Sequence, residues 1–431
     1  MFGDDPDFNI RDTQYQYYNQ RDMIPVASPD NTPICWTVSY IKQARFEIDL
    51  NNQNNSGLYK VYQTYHYLTM IVLTLNTPMV KTRNENVQIC FCRNLLHRFI
   101  MECSLKILES DSRSSSLDIG SIDPGFLDCF RKYRLGTDRM RYDENIGNTK
   151  DLTEWSECLM SRSLSLVLPF PFCLDDSCSF PLHLTNVKDK IGIHCTFVDN
   201  PQKLLRMRVL DEVNDVWTEI PVDDKKVDIY GTNVGTIKPL VPDMFIQYLK
   251  MREDEILVRR GDQYSCSTET YTKLNVDTEG ERTAIIILNN SYPTKYVFGM
   301  FEHKNNISLN NFSDYSQFPN DFIKRIVVRY QDKTSNILDI DGLSLETFIS
   351  HLLPTSDTQN GFFYIPFCIY PSSIREDRAI VTSGNPIEIL LTIHEEYRIK
   401  DYQISSYSVN HTHLVSEYDK SPNIGTLSLK V

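Results

Sequence analysis

Residues 166–197 read LVLPFPFCLDDSCSFPLHLTNVKDKIGIHCTF. The stretch opens as an apolar strand broken by proline, passes a polar excursion and a second short strand, and turns into a third strand. A looser relative, FFYIPFCIYPSSIREDRAIVTSGNPIEILLTI, occupies residues 362–393. Both begin with an aromatic and aliphatic run around a proline, at Leu168-Pro169-Phe170 and Ile365-Pro366-Phe367. Both end on alternating apolar positions, the period of a half-buried strand. Two copies of one strand-rich ending predict two similar domains in tandem.

Length agrees, since 431 residues exceed one ordinary sandwich and suit two units, each able to bury its own core. The turn-rich segment DNPQK at residues 199–203 places the boundary near residue 200. The expected division is an N-terminal arm at residues 1–34, a first unit at 35–200 and a second at 201–431. The arm is acidic (Asp4, Asp5, Asp7) with a tyrosine cluster at Tyr15, Tyr17 and Tyr18. It reads as a partly ordered tail, or as a segment that docks on a neighbouring subunit.

Working outward from the opening stretch, strands dominate. With 24 Tyr and 21 Phe but only 16 Gly, the composition favours pleated, half-buried surfaces. Residues 44–50, 99–107 and 205–210 alternate at period two, and 284–288, 296–301 and 323–330 are apolar strand runs. Residues 243–249 read as a short helix or a strand. Residues 123–135, DPGFLDCFRKYRL, predict a helix: Asp123 caps, Pro124 suits the first turn, and Phe126, Leu127, Phe130 and Tyr133 share a face. A second helix is expected at 342–349, and polar loops at 110–116 and 138–150. Helices confined to excursions between many short strands imply an all-β chain of jelly-roll or Greek-key sandwiches.

A formal net charge of −13 argues against wrapping nucleic acid, which needs clustered Lys and Arg to neutralise phosphate. The N-terminus shows no basic stretch leading into an apolar core, and apolar runs such as 284–288 fall well short of the ~18 residues of a membrane span. The 11 cysteines are irregularly spaced and mostly in apolar runs, which reads as free thiols in a reducing compartment.

Motifs of the common enzyme classes are missing: no nucleophile elbow, no phosphate-binding P-loop, no H-E-x-x-H, no paired cysteine knuckles. Cys90 and Cys92 share a strand face, and Cys173 and Cys178 bracket Asp175 and Asp176, but neither pair has local partners for a metal. His411, His413 and Glu417 match the H-x-H-x3-E spacing of cupins, although only 14 residues follow Glu417. The expected reading is a polar strand, with no catalytic, metal or cofactor residues. N-x-[ST] triplets fall at Asn54, Asn289, Asn306, Asn311 and Asn410 and read as chance products of asparagine-rich loops.

Four blocks make the chain resemble the double jelly-roll major capsid proteins of large nucleocytoplasmic DNA viruses. They are LLHRFIME at 95–102, LPFPFC through FPLHL at 168–184, YPTKYVFGM at 292–300, and YPSS at 370–373 running on to Ile393. The chain departs from the family pattern at 59–67 and at 402–415. The resemblance implies two tandem eight-stranded antiparallel jelly rolls with short helices in the excursions. It also implies a structural role without catalysis: homotrimers of pseudo-hexagonal outline that tile an icosahedral shell, contacting neighbouring trimers and minor capsid proteins. The shell would assemble in host cytoplasm, and the resemblance leaves room for an internal membrane beneath it. On this reading residues 108–157 and 302–361 are outward-facing excursions. A related scaffold or minor capsid protein is the alternative, and a cupin-like metal enzyme or sugar-binding sandwich a more distant one.

Overall fold

The computed structural model describes residues 13–17, 34–43, 45–48, 55–108, 119–133, 139–174, 179–182, 190–229, 240, 242–251, 265–313, 315, 318–319, 321–331, 336–342, 344, 347, 361–368, 379–418 and 425–430. Two sandwiches carry the chain. The first is built from β1 (Ile34–Gln43), β2 (Arg45–Ile48), β3 (Asn55–Lys60), β4 (Tyr67–Asn76), β5 (Ile100–Leu108), β6 (Ser121–Ile122), β7 (Ser163–Val167), β8 (Lys190–Phe197) and β9 (Asp243–Met251). The second is built from β10 (Ser265–Leu274), β11 (Val276–Glu279), β12 (Thr283–Leu288), β13 (Thr294–His303), β14 (Ile323–Tyr330), β15 (Asn336–Asp341), β16 (Phe362–Pro366), β17 (Ile387–Ile393) and β18 (Tyr402–Tyr418).

Strand order shows the duplication directly. The first sandwich pairs β1-β9-β4-β7 in one sheet and β2-β3-β8-β5-β6 in the other. The second pairs β10-β18-β13-β16 and β11-β12-β17-β14-β15. Each strand of the first circuit therefore has its counterpart nine labels later, in the same place in the same sheet. Eight strands in two antiparallel sheets, with the last beside the first, make a jelly roll; β2 and β11 add a short edge to each. The segments 166–197 and 362–393 hold β8 and β17 and overlap β7 and β16, so the sequence relationship is a relationship of position in the roll.

Alternation fixes which face is buried. In β8 the buried apolar side chains are Ile191, Ile193, Cys195 and Phe197; in β17 they are Ile387, Ile389, Leu391 and Ile393. Each fully buried aliphatic or aromatic side chain contributes about 1.5–3 kcal/mol, so such a row holds its register firmly. β13 is different. Every residue from Thr294 to Glu302 is buried, which requires cover on both faces.

The boundary expected near residue 200 is corrected by the pairing. Strand Leu205–Asp211 pairs with Val87–Phe91, strand Val227–Ile229 pairs with Val80–Thr82, and β9 lies between β1 and β4. Residues 201–251 thus belong with the first sandwich, and among the described strands pairing changes over between Met251 and Ser265. Segment 199–203, expected as a linker, is an Asn-capped 3-10 turn: Asn200 Oδ1 accepts from Gln202 N at 2.9 Å. The roll was not closed at Phe197 because its eighth strand, β9, arrives after a further hairpin.

Two local expectations also change, and one open between helix and strand is decided. Residues 139–145, expected as loop, form a short helix, followed by another at 150–153, and residues 95–99, in the block 95–102 that resembles a strand of the capsid family, form helix α1 (Leu95–Phe99). Segment 243–249, left between helix and strand, is strand β9. The helix predicted from Asp123 is present as α2 (Pro124–Tyr133), with Asp123 Oδ1 accepting from Phe126 N at 2.9 Å. Of the arm, Thr13–Tyr17 pairs antiparallel with Ile34–Val38 of β1; the rest of residues 1–33, the loop at 110–116 and most of the helix expected at 342–349 lie outside the described residues.

Candidate functional site

The feature that sets this molecule apart from a lone sandwich is the junction between its two rolls. Helix α2 fills it. Its sequence puts Phe126, Phe130 and Tyr133 at positions i, i+4 and i+7, one helical face. That face lies on an aromatic plate formed by the second roll's sheet. The Phe126 ring is 4.5 Å from Tyr271 of β10, 5.5 Å from Phe298 of β13 and 5.6 Å, edge-on, from Tyr407 of β18. The Tyr133 ring is 5.0 Å from Tyr364 and 6.2 Å from Phe362, both of β16. This is why β13 is buried on both sides: Tyr296, Phe298, Met300 and Glu302 face the junction, while Val297 and Phe301 face the roll's own core.

Close approach of the backbones needs glycine at one point. Gly120 has φ +114°, and a Cβ there would stand 2.4 Å from the Tyr271 carbonyl oxygen. Its neighbour Ile119 accepts a hydrogen bond from Tyr271 N at 3.1 Å, and the Tyr271 hydroxyl donates to the Pro169 carbonyl at 3.1 Å. Pro169 belongs to the proline-marked run of the first roll, so that run helps anchor the second. At the helix start, Asp123 accepts from the Tyr407 hydroxyl and, at 2.6 Å, from Lys273 Nζ.

Beside this apolar wedge lies a buried polar lock. Asp128 on α2 is 1% exposed, and its carboxylate accepts five hydrogen bonds. Oδ1 receives Asn94 Nδ2 and His97 Nδ1, each at 2.7 Å. Oδ2 receives Arg98 Nη2 at 2.6 Å, Ser313 Oγ at 2.8 Å and the Tyr315 hydroxyl at 2.9 Å. Arg98 also donates to Glu302 at 2.9 Å, and Ser313 N donates to the same Glu302 oxygen at 3.2 Å. Asn94, His97, Arg98 and Asp128 come from the first roll; Glu302, Ser313 and Tyr315 come from the second.

Charge states follow from this geometry. Burial alone would raise the Asp128 carboxyl, but the Arg98 charge and the bonds from His97 and Ser313 outweigh it and hold it well below the usual carboxylate range. Burial likewise lowers the His97 imidazole, only partly offset by Asp128, so the ring is neutral. A carboxylate can only accept, so Nδ1 carries the proton and Nε2 accepts from the Tyr142 hydroxyl at 2.8 Å. Burial works against the Arg98 charge, yet Glu302 and Asp128 raise its pKa above the ordinary value. One guanidinium thus holds two buried carboxylates, one from each roll.

The residues weighed from sequence as metal ligands are not brought together in this way. His411 and His413 lie on β18 with ring centroids 5.0 Å apart, opposite Glu269 and Ser267 of β10. Glu269 bonds Lys295 Nζ at 2.5 Å inside the roll, so a divalent cation beside His411 would meet a lysine charge. The Glu417 side chain and Cys178 lie outside the described residues. Cys90 and Cys92 are both buried, and burial pushes each thiol up to about 12. Among the described residues no group of three His, Cys, Asp or Glu is placed to hold a metal ion. Of the described N-x-[ST] asparagines, Asn289 is exposed while Asn306, Asn311 and Asn410 are buried.

The excursion expected to face outward at 108–157 therefore contains the buried wedge, because its apolar helix face finds the aromatic plate. The lock was not legible, since its members come from four separated segments. A usable signal existed for the double-sided burial of β13: the run Tyr296-Val297-Phe298-Gly299-Met300-Phe301 is unbroken rather than alternating.

No protein-family model and no curated protein matches the sequence. Solved structures do match the fold. The capsid of PBCV-1 superposes with a TM-score of 0.64 at 11% identity, over 92% of this chain and 97% of that one. The Faustovirus major capsid protein gives 0.66 at 9% identity, over 89% and 91%. A chain of the Sputnik virophage particle gives 0.52 at 10% identity, over 91% and 88%. The chain has the double jelly-roll fold of viral major capsid proteins.

Proposed function

We propose that the chain is a structural protein of a viral shell, a major capsid protein whose homotrimers tile an icosahedral capsid. The observation that carries this reading is the repeated circuit, β1 to β9 and β10 to β18, held as one body by α2 and the Arg98 lock. Three such chains about a three-fold axis present six similar wedges, a near-hexagonal tile with six lateral neighbours. A tile needs its two rolls at a fixed angle, or the hexagonal outline is lost from copy to copy. The junction supplies that rigidity.

Neighbouring trimers and minor capsid proteins are the partners this role requires, and the virion, assembled in host cytoplasm, is its place. The acidic balance suits a shell that does not itself wrap nucleic acid. The two rolls divide at the segment between Met251 and Ser265, and no chemical step is part of the role. Light scattering on the purified chain tests the reading: the expected species has three times the 50.2 kDa mass of one chain. A strictly monomeric protein at high concentration would overturn it.

A further inference from the structure

We propose that Cys103 and Cys195 form a redox-switchable cross-link inside the first roll, reduced when the chain folds and bridged in an oxidising exterior. The two residues are direct partners in the antiparallel pairing of β5 and β8, and their Sγ atoms are 2.8 Å apart. Directly opposed residues of an antiparallel pair have Cα atoms about 4.5–5.5 Å apart. That lies inside the ~4.4–6.8 Å range that disulfides span, so bridging requires rotation of two side chains and no movement of backbone.

The location gives the bridge its consequence. β8 is a central strand of its sheet, flanked by β3 and β5. A bond from Cys103 to Cys195 closes a loop of 92 positions that contains β6, α2 and β7, and hence the helix that wedges the two rolls together. Cross-linking so long a loop restricts the unfolded chain strongly.

The step balances as thiol–disulfide exchange. Two thiols become one disulfide, giving up two protons and two electrons. A small-molecule disulfide such as oxidised glutathione accepts them, its own S–S bond breaking to two thiols. Both cysteines are buried, and burial together with the neighbouring Cys195 raises the Cys103 thiol. The thiolate that attacks is therefore scarce in the closed fold, and the exchange is slow at neutral pH.

The test uses the full chain, equilibrated with oxidised glutathione, alkylated under denaturing conditions and digested with trypsin without reduction. Peptides 99–106 and 191–203 each contain a single cysteine. The expected result is their linked mass, abolished by reductant, and a melting temperature raised on the order of 5 °C over the reduced protein. Cys195→Ala is expected to show neither. Recovery of both peptides in alkylated form, after treatment that has oxidised the half-buried Cys158, would overturn the proposal. So would linkage of Cys103 to another thiol such as Cys173, or a linked pair with an unchanged melting temperature. The comparison of oxidised with reduced wild type decides the matter even if the variant does not fold.

Discussion

Arg98 of the first roll and Glu302 of the second lie 204 positions apart in the chain and meet at 2.9 Å, with the same guanidinium nitrogen 2.6 Å from Asp128. Removing the guanidinium leaves two buried carboxylates facing each other without a cation. Arg98→Met, which keeps the length of the side chain, is expected to cost about 3–5 kcal/mol in denaturant unfolding. A change under about 1 kcal/mol would show that the lock is ornamental.

His97 makes the junction sensitive to acid. Folded, burial holds its pKa below the ordinary 6.5, whereas unfolded it protonates near that value. Between those two points the unfolded chain binds the extra proton. The stabilisation is therefore complete above pH 6.5 and is lost as pH falls toward the folded value. His97→Gln keeps a donor for Asp128 but cannot titrate. Its melting temperature is expected to fall less than that of the wild type between about pH 7 and pH 5, measured by calorimetry in matched buffers.

The wedge helix is expected to couple the rolls. Tyr133→Ala removes the ring packed on Tyr364 and Phe362 and is expected to cost about 3–5 kcal/mol. Because the loss is at the junction, the calorimetric transition is expected to split or broaden as the rolls unfold apart. A single sharp transition merely shifted downward would place the coupling elsewhere.

Gly120→Ala tests the close approach. Its φ of +114° disfavours any side chain, and the added methyl would lie 2.4 Å from the Tyr271 carbonyl. A loss of at least about 2 kcal/mol is expected, readable as a lower midpoint in urea.

Much of this architecture is legible in the sequence. The likeness of segments 166–197 and 362–393 is a true correspondence, because each contributes the seventh strand of an eight-strand roll together with residues of the sixth, the end of β7 in one and all of β16 in the other. The face of α2 was also plain from the spacing of Phe126, Phe130 and Tyr133. Asn200-Pro201 is ambiguous in the sequence: an Asn-Pro turn has the same chemistry whether it joins two strands of one roll or two domains. Only pairing over long separations, β9 with β1 and β4, shows which it is. The Arg98 lock was hidden for a related reason. Charged residues scattered at 98, 128 and 302 carry no local period, and their meeting is a product of the junction, not of any segment.

The proposed function requires the duplicated roll to make a hexagonal tile. Electron microscopy of the purified protein, concentrated under conditions that favour assembly, addresses it most directly. The expected result is six-lobed trimers that order into hexagonal arrays or closed shells. Particles the size of one chain, without three-fold outline or lattice at any concentration reached, would contradict it.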